Sequence, residues 1–233
     1  YLKHILDNID KFELEFFKKE LKDDKKNEFR RTIKSDLRQT YFHAIESFFE
    51  IFFALNPKDK KVLDDENILF NLTNSNWKDN YKKIKEIAEN DKALDFLDEE
   101  IKALNKQVTI GNYIFYLGIF NHDKYPDLKK SIDDSIDAIK YGVSIIAKEF
   151  TSRDEYNAYK HGLRIIPAVS KLMLADAETM EVKFEWDLTD SMSFYTPTKN
   201  PDELTVVTKL FDCERDYQMT LFCSNLISHM MFY

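Results

Sequence analysis

Glycine is scarce in this chain of 233 residues, which contains only Gly111, Gly118, Gly142 and Gly162. Loops that cradle a phosphate need several glycines close together, because backbone amides must approach the ligand without a Cβ in the way. The closest two, at 111 and 118, are seven residues apart (118 − 111). This spacing excludes a P-loop and a dinucleotide fingerprint. We therefore expect no nucleotide cofactor, and no other pattern in the sequence calls for a cofactor.

Cysteine is also scarce, with only Cys213 and Cys223 and no CxxC pair, so a cysteine zinc site is not supported. If one helix spans both, a rise of 1.5 Å per residue puts their Cα atoms roughly 15 Å apart, too far for a disulfide. Apolar runs of about 18 residues and a signal-peptide pattern are absent too. These features predict a cytoplasmic protein with no membrane partner. The first residue is not Met and the last five are mostly apolar, which predicts a piece of a longer protein.

The charge balance is acidic, with 34 basic and 42 acidic side chains and a net charge of −8. Hydrophobic residues make up 43% of the chain, which excludes global disorder. A net negative charge counts against broad affinity for nucleic acid, since phosphate binding scales with the number of basic contacts. It still allows RNA in a local basic cleft.

Hydrophobic side chains recur at helical spacing along most of the sequence. This periodicity predicts helices over 2–22, 28–55, 76–104 with a break at 90–91, 109–120, 127–150, 153–164 with a continuation to about 174, and 212–233. The helix at 28–55 is apolar around most of its circumference from residue 41 onward, so we expect it in the centre of a bundle or in a subunit interface.

A different pattern begins after residue 177, where apolar and charged residues alternate over 182–188. Segments 193–196 and 204–210 show similar patterns, which predicts a three-stranded antiparallel β-meander. The expected fold is a mainly α-helical bundle with this small meander inserted before the C-terminal helix. We expect a single domain over 1–233, with the bundle in 1–176, the meander in 177–211, and a C-terminal helix at 212–233 that packs back on the bundle.

One predicted helix begins with a capping box, Ser152-Arg153-Asp154-Glu155. Its broad polar face combines Arg153, Tyr156, Asn157, Lys160, His161 and Arg164. Such a face can bind a phosphate, with His161 as general acid or base, Lys160 and Arg164 stabilising charge, and Asn157 orienting the imidazole. The alternative is a solvated helix face with one hydrogen-bonded histidine.

A second polar group lies on the helix at 28–55, where Gln39, His43, Glu46 and Glu50 form a narrow stripe. Metal sites in helical bundles use Glu-x-x-His units, and the sequence has none, so we expect no metal. A buried carboxylate needs a cation nearby. We expect Glu46 to pair with one across the bundle, with His161, Lys160 or Arg164 as candidates.

Two segments together resemble the HEPN-like superfamily of small, often dimeric helical bundles: the helix around Tyr41-Phe42-His43-Ala44-Ile45-Glu46, and Tyr156-Asn157-Ala158-Tyr159-Lys160-His161-Gly162. The ribonuclease signature of that family is Arg-Asn-x-x-x-His. Asn157 and His161 match it, whereas Tyr156 stands in place of the Arg. Arg38 and His43 also spell Arg-x4-His, on a different helix.

The resemblance implies two alternative functions. In the first, the chain is a non-catalytic, homodimeric helical module that binds a partner or RNA. In the second, it is a metal-independent endoribonuclease of a defence or toxin system, with His161 as general acid or base on the ribose 2′-OH. In that case Asn157, Lys160 and Arg164 complete the site, and Glu46, His43, Arg153 and Tyr156 support it.

Overall fold

A computed structural model of the chain describes residues 23–57, 61–90, 92–103, 106–116, 125–151, 153–161, 165–166, 171–198 and 203–232. The predicted helix at 2–22 and the predicted site residue Arg164 lie outside these ranges, as does Ser152 of the capping box.

Helices dominate the described residues, which confirms the mainly helical fold class. The seven α-helices found there are α1 (Asp23–Leu55), α2 (Asp65–Thr73), α3 (Trp77–Glu89), α4 (Ile110–Phe115), α5 (Pro126–Thr151), α6 (Arg153–His161) and α7 (Cys213–Phe232). A 3₁₀ turn at Asp95–Asp98 follows α3.

The long helix α1 is buried along much of its length, as its sequence predicts. Its buried apolar side chains are Leu37, Tyr41, Phe42, Ile45, Phe48, Phe49, Phe52 and Ala54. His43 on the predicted polar stripe is exposed, and Glu46 and Glu50 are half-buried. The helix ends at Leu55, two residues before Pro57, because proline disfavours helical backbone in the residue that precedes it.

Local capping residues mark the starts of several helices. Asp64 Oδ1 accepts from the Asn67 amide at the start of α2, and Asp212 Oδ1 accepts from the Arg215 amide at the start of α7. Asn76 accepts from the Lys78 amide at the start of α3. These caps satisfy donors that the first turn of a helix leaves without a partner.

Short antiparallel sheets replace the single meander that the alternation predicts. The strands are β1 (Glu100–Ala103), β2 (Lys106–Thr109), β3 (Ile165–Ile166), β4 (Lys171–Ala175), β5 (Val182–Asp187), β6 (Ser191–Pro197) and β7 (Leu204–Leu210). Among the described residues they form three sheets, with orders β1-β2, β3-β6-β7 and β4-β5.

The predicted meander is therefore wrong in part of its pairing, but each of its three predicted segments contains a strand. The β6–β7 hairpin pairs as expected, from Ser191 opposite Leu210 to Pro197 opposite Leu204. The strand at 182–187 pairs instead with β4, in a segment where the sequence predicted continued helix. Leu172 and Leu174 fit either structure by composition, and the contact with an aromatic strand decides in favour of β.

The predicted helix at 76–104 also needs correction. Its first part is α3, and the break after Asn90 is confirmed, but residues 100–103 form a strand that pairs with β2. Ile101 and Ala103 are buried while Glu100 and Lys102 are exposed, which is the period of a half-buried strand. Four residues are too few to separate this period from that of a helix by sequence alone.

Contacts within the chain divide it into two compact units. Unit 1 comprises residues 1–42 and 153–218, and unit 2 comprises 43–152 and 219–233. In unit 2, α3 packs on α5, with the Trp77 ring 5.6 Å from that of Phe150. Gly142 on α5 makes room for another ring, since a Cβ there would stand 2.3 Å from Cζ of Phe222.

Candidate functional site

Helix α6, in unit 1, carries five of the eight predicted site residues. Tyr156 is 1% exposed, and its ring lies 5.3 Å from that of Phe42. Asn157 is half-buried and Lys160 is exposed, with the Lys160 ammonium 5.5 Å from the Tyr156 ring centroid. Arg153 and His161 are the first and last residues of the helix. Tyr156 therefore serves as a core side chain, whereas Asn157 is partly accessible and Lys160 is exposed.

The other two described site residues, His43 and Glu46, lie on α1 within unit 2. His43 Nδ1 stands 3.9 Å from Glu46 Oε2, at a spacing of three residues on one helix face. His43 is exposed and Glu46 is half-buried. The expected pairing of Glu46 with a cation on the predicted helix at 153–164 stays a prediction.

A buried ionic network in unit 1 was not anticipated as a site. Arg38 on α1 donates to Glu155 on α6 through Nε at 2.8 Å and Nη2 at 3.1 Å, and to Asp216 on α7 through Nη1 at 2.5 Å. Arg38, Glu155 and Asp216 are 6%, 3% and 0% exposed. Lys209 on β7 donates to Glu155 at 2.9 Å, and Arg215 donates to Asp216 at 3.2 Å. We call these five residues the Arg38 cluster.

Two aromatic rings also lie close to the Arg38 guanidinium. Its central carbon lies 4.9 Å from the Tyr41 ring centroid and 4.8 Å from that of Phe42, within the range of cation–π attraction. The bidentate contact with Glu155 uses the planar fork that distinguishes arginine from lysine. The cluster therefore joins α1, α6, β7 and α7 within unit 1 by charge-assisted hydrogen bonds.

The net pKa shifts of the two carboxylates of the cluster have opposite signs, although burial raises the pKa of both. Burial raises the pKa of Glu155, but hydrogen bonds and charge from Arg38 and then from Lys209 outweigh it, and the net pKa lies below the ordinary value. Burial also raises the pKa of Asp216, and there Arg38 and Arg215 only partly offset it, so the net pKa is raised. Burial lowers the pKa of Arg38, but the two carboxylates outweigh it and raise the net value.

The geometry of the cluster indicates a structural role. A guanidinium that is already held by two buried carboxylates does not present itself to a phosphate in solvent. Removing one partner from such a network leaves an uncompensated buried charge, which is strongly destabilising. The capping box predicts a local role for Glu155 at the start of α6, yet both of its carboxylate oxygens accept from Arg38, and one also accepts from Lys209.

Sequence reasoning missed this cluster, although a signal for it exists. Arg38 stands on the apolar side of α1, directly after Leu37 and one helical turn before Tyr41 and Phe42. A lone charge in such a stripe requires a buried counter-charge. The sequence does not say which of 42 acidic residues supplies it.

A second feature of unit 1 has the opposite character. Every residue of β4 and β5 is exposed. The register places Leu172 opposite Trp186 and Leu174 opposite Phe184, so these four side chains share one face of the hairpin. They are 46–59% exposed, and the Phe184 and Trp186 rings lie 4.0 Å apart. We call this set the apolar face.

The opposite side of the hairpin is charged and internally paired. Lys171 donates to Glu185 at 2.5 Å, and Lys183 donates to Asp176 at 2.6 Å. Asp176 also accepts from the backbone amides of Glu178 and Thr179 in the connecting turn. The bond from Lys183, followed by these amide bonds, lowers the pKa of Asp176 to about 2. The hairpin is therefore held by its own turn and cross-strand pairs.

Unit 2 contains a polar cleft of about 240 Å³ between α1, α2 and α3. Its amide groups are engaged inside the protein: Asn71 donates to the Ala54 carbonyl at 3.1 Å, Asn74 to the Phe70 carbonyl at 2.9 Å, and Asn80 to Ser75 Oγ at 2.8 Å. Lys83 lies 4.9 Å from the Phe53 ring. The bond from Asn71 joins α2 to the end of α1, and the other two bonds are local.

Both cysteines are free thiols, as the helical spacing predicts. Burial raises the pKa of Cys223 to about 12, so this thiol is a poor nucleophile at neutral pH. In the part of the chain that the structure describes, no group of three or more His, Cys, Asp or Glu side chains is placed so that it could hold a metal ion. None of the helices described there is both long enough and apolar enough to span a membrane.

Comparisons with protein families, with curated proteins and with solved structures find no significant match to this chain. The resemblance to the HEPN-like superfamily thus rests on Asn157, His161 and the buried helix around Tyr41.

Proposed function

We propose that the chain is a non-catalytic helical module of the HEPN-like type that binds another protein chain. The observation that carries this proposal is the apolar face of the β4–β5 hairpin, where four large side chains are 46–59% exposed on one side of two strands. Contiguous exposed apolar surface of this kind marks protein contacts, because water disfavours it. The two free cysteines support a cytoplasmic location.

The position of Tyr156 supports the non-catalytic part of the proposal. In the ribonuclease signature an arginine occupies this position, whereas Tyr156 packs on Phe42 with 1% of its surface exposed. Arg38 does not replace the missing cation at a surface site, because Glu155 and Asp216 hold its guanidinium inside unit 1. A net charge of −8 further favours a protein partner over RNA.

The alternative is a metal-independent endoribonuclease with His161 as general acid or base. One observation favours it: Asn157, which is half-buried, and Lys160, which is exposed, lie three residues apart on α6. Both are near the end of the helix, where His161 is the last residue. In that mechanism Lys160 stabilises phosphate charge and Asn157 orients the imidazole.

Incubation of a mixed RNA pool in EDTA distinguishes the two functions. We expect the purified wild type and His161→Ala to leave the RNA as intact as buffer alone does. Circular dichroism and sedimentation first establish that the two proteins are equally folded and of equal oligomeric state. Cleavage by the wild type that His161→Ala has lost would overturn the non-catalytic proposal and place a nuclease site at the end of α6.

A further inference from the structure

The apolar face of the β4–β5 hairpin requires a second layer of structure to bury it. An isolated two-stranded hairpin is marginally stable in water, and this one has no third strand among the described residues. Its turn is closed by Asp176, whose backbone carbonyl accepts from Met180, and Met180 itself adopts φ of 57°, in the left-handed region. Such a defined hairpin with one apolar side is the form of a sheet that packs against a second layer.

The charges around the apolar face indicate which partner fits it. Leu172, Leu174, Phe184 and Trp186 include no ionisable group, and the ions on the other side are paired within the hairpin, Lys171 with Glu185 and Lys183 with Asp176. Two copies of a chain with net charge −8 repel each other in general. A contact between two of these neutral faces avoids that repulsion locally.

The shape of the face also suits a copy of itself. Both rings stand on β5 and both leucines on β4, so the face has a bulky side and a smaller side. A two-fold axis parallel to the strands lays β5 of one copy over β4 of the other. Rings then pack on leucines twice, at the sheet separation of about 10 Å that apolar side chains fill.

We propose that the apolar face binds the same face of a second copy of this chain, so that two hairpins form a small two-layer β-sandwich. This inference rests on the proposed function, because it names the protein chain that the module binds. Closed two-fold dimers are the commonest symmetric assembly, and an isologous contact needs only one self-complementary patch.

The size of the face sets the strength of the contact. Half-exposed side chains of this kind cover roughly 350 Å² per copy, so the dimer buries roughly 700 Å² in total. Stable interfaces bury about 1,200–2,000 Å², so we expect a reversible, concentration-dependent dimer. Sedimentation velocity of the full chain should show a monomer at about 5 µM. The weight-average mass should approach twice the monomer mass by about 500 µM.

Two neighbouring residues of β4 provide a matched pair of variants. Leu174 is 59% exposed on the apolar face, and Met173 is 56% exposed on the opposite face. Leu174→Glu should remain monomeric at every concentration, because dimerisation would bury its carboxylate between two apolar layers. Met173→Glu adds the same charge outside the contact and should associate like the wild type, or no more than a few-fold more weakly.

Tryptophan fluorescence distinguishes a second copy from other occupants. The chain has two tryptophans, so Trp77→Phe leaves Trp186 as the single reporter. We expect emission typical of an exposed indole in the dilute protein and a blue shift as the dimer forms. An indole already shielded in the dilute monomer would overturn the inference, because another part of the chain would then cover the face.

Further outcomes separate this inference from the proposed function. A monomer throughout the concentration series, or equal loss of association in both glutamate variants, would overturn self-association through this face. Neither result bears on RNA cleavage. Cleavage that depends on His161 would overturn the non-catalytic module while leaving the sedimentation result intact.

Discussion

Two regions of unit 1 reverse the usual distribution of polar and apolar groups. The Arg38 cluster places one cation and two carboxylates in the interior, with Asp216 fully buried. The β4–β5 hairpin places Leu172, Phe184 and Trp186 in solvent. Each arrangement is costly by itself, since buried charges lose hydration and exposed apolar surface orders water.

The difference lies in how each region offsets its cost. Inside the protein, Arg38 is matched by Glu155 and Asp216 at 2.5–3.1 Å, so the charge of its guanidinium is balanced within one chain. On the hairpin, the charged side is paired within the chain, whereas the side chains of the apolar face are 46–59% exposed. A buried charge that is paired with opposite charges indicates a structural role, whereas an exposed apolar surface indicates a binding role.

Among the variants that test this comparison, removing the Arg38 guanidinium should have the largest effect on the free energy of unfolding. Arg38→Met leaves Glu155 and Asp216 buried without the guanidinium, and we expect a loss of about 3–5 kcal/mol in the free energy of unfolding. Urea denaturation followed by circular dichroism measures the change. The slope of the transition should stay constant if both proteins unfold in a two-state manner.

A matched control lies one turn earlier on α1. Lys34 pairs with Asp190, whose side chain is 65% exposed, so Lys34→Met should cost no more than about 1 kcal/mol. Equal losses in Lys34→Met and Arg38→Met would contradict the distinction between buried and exposed ion pairs in unit 1.

Acid titration should separate the two carboxylates of the cluster. The pKa of Glu155 is lowered, so its contribution to stability is present above the unfolded value near 4.5 and is lost as pH falls through the folded value. The pKa of Asp216 is raised, so protonation favours the folded state as pH falls from the raised value towards 3.8. The two residues therefore act with opposite sign on the acid side of neutrality.

These opposite shifts predict that two conservative variants change the pH dependence of stability in opposite directions. The decrease in unfolding free energy between pH 7 and pH 3 should become smaller in Glu155→Gln and larger in Asp216→Asn than in the wild type. Chemical denaturation at the two pH values measures both differences. Changes of the same sign in the two variants would refute the assignment of opposite shifts.

The smallest effect on stability should come from the hairpin. Because Leu174 and Met173 are exposed in the monomer, their glutamate variants should change the unfolding free energy of the dilute protein by no more than about 1 kcal/mol, the size of one cross-strand contact. A loss of several kcal/mol in Leu174→Glu alone would place that side chain in the core, and the contrast between the two regions would disappear.

Most of the helical fold is predictable from the sequence, because the information is local. The periodicity over 28–55 and 127–150 predicts α1 and α5 to within a few residues, since one helix face must be apolar to be buried. Asp212 predicts the start of α7. The alternation over 182–187 predicts β5 as a strand for the same local reason.

The strand partners were not predictable to the same degree. Pairing β5 with β4 required knowing that residues 171–175 are extended, and a segment of two leucines and a methionine fits helix or strand equally well. The candidate site shows the same limit. Asn157 and Lys160 were correctly placed on one helix, but the sequence alone did not distinguish Tyr156 as a core residue from a member of the polar face.

By itself, the sequence determined the class of this protein: its scarce glycines exclude phosphate loops, and its apolar periodicity makes it mainly helical. Only the tertiary structure decided which groups are buried and which are exposed. Arg38 meets Glu155 across 117 positions and Asp216 across 178, and Trp186 remains exposed although it alternates like a core residue. Local patterns depend on neighbours a few residues apart, whereas burial depends on contacts between distant segments.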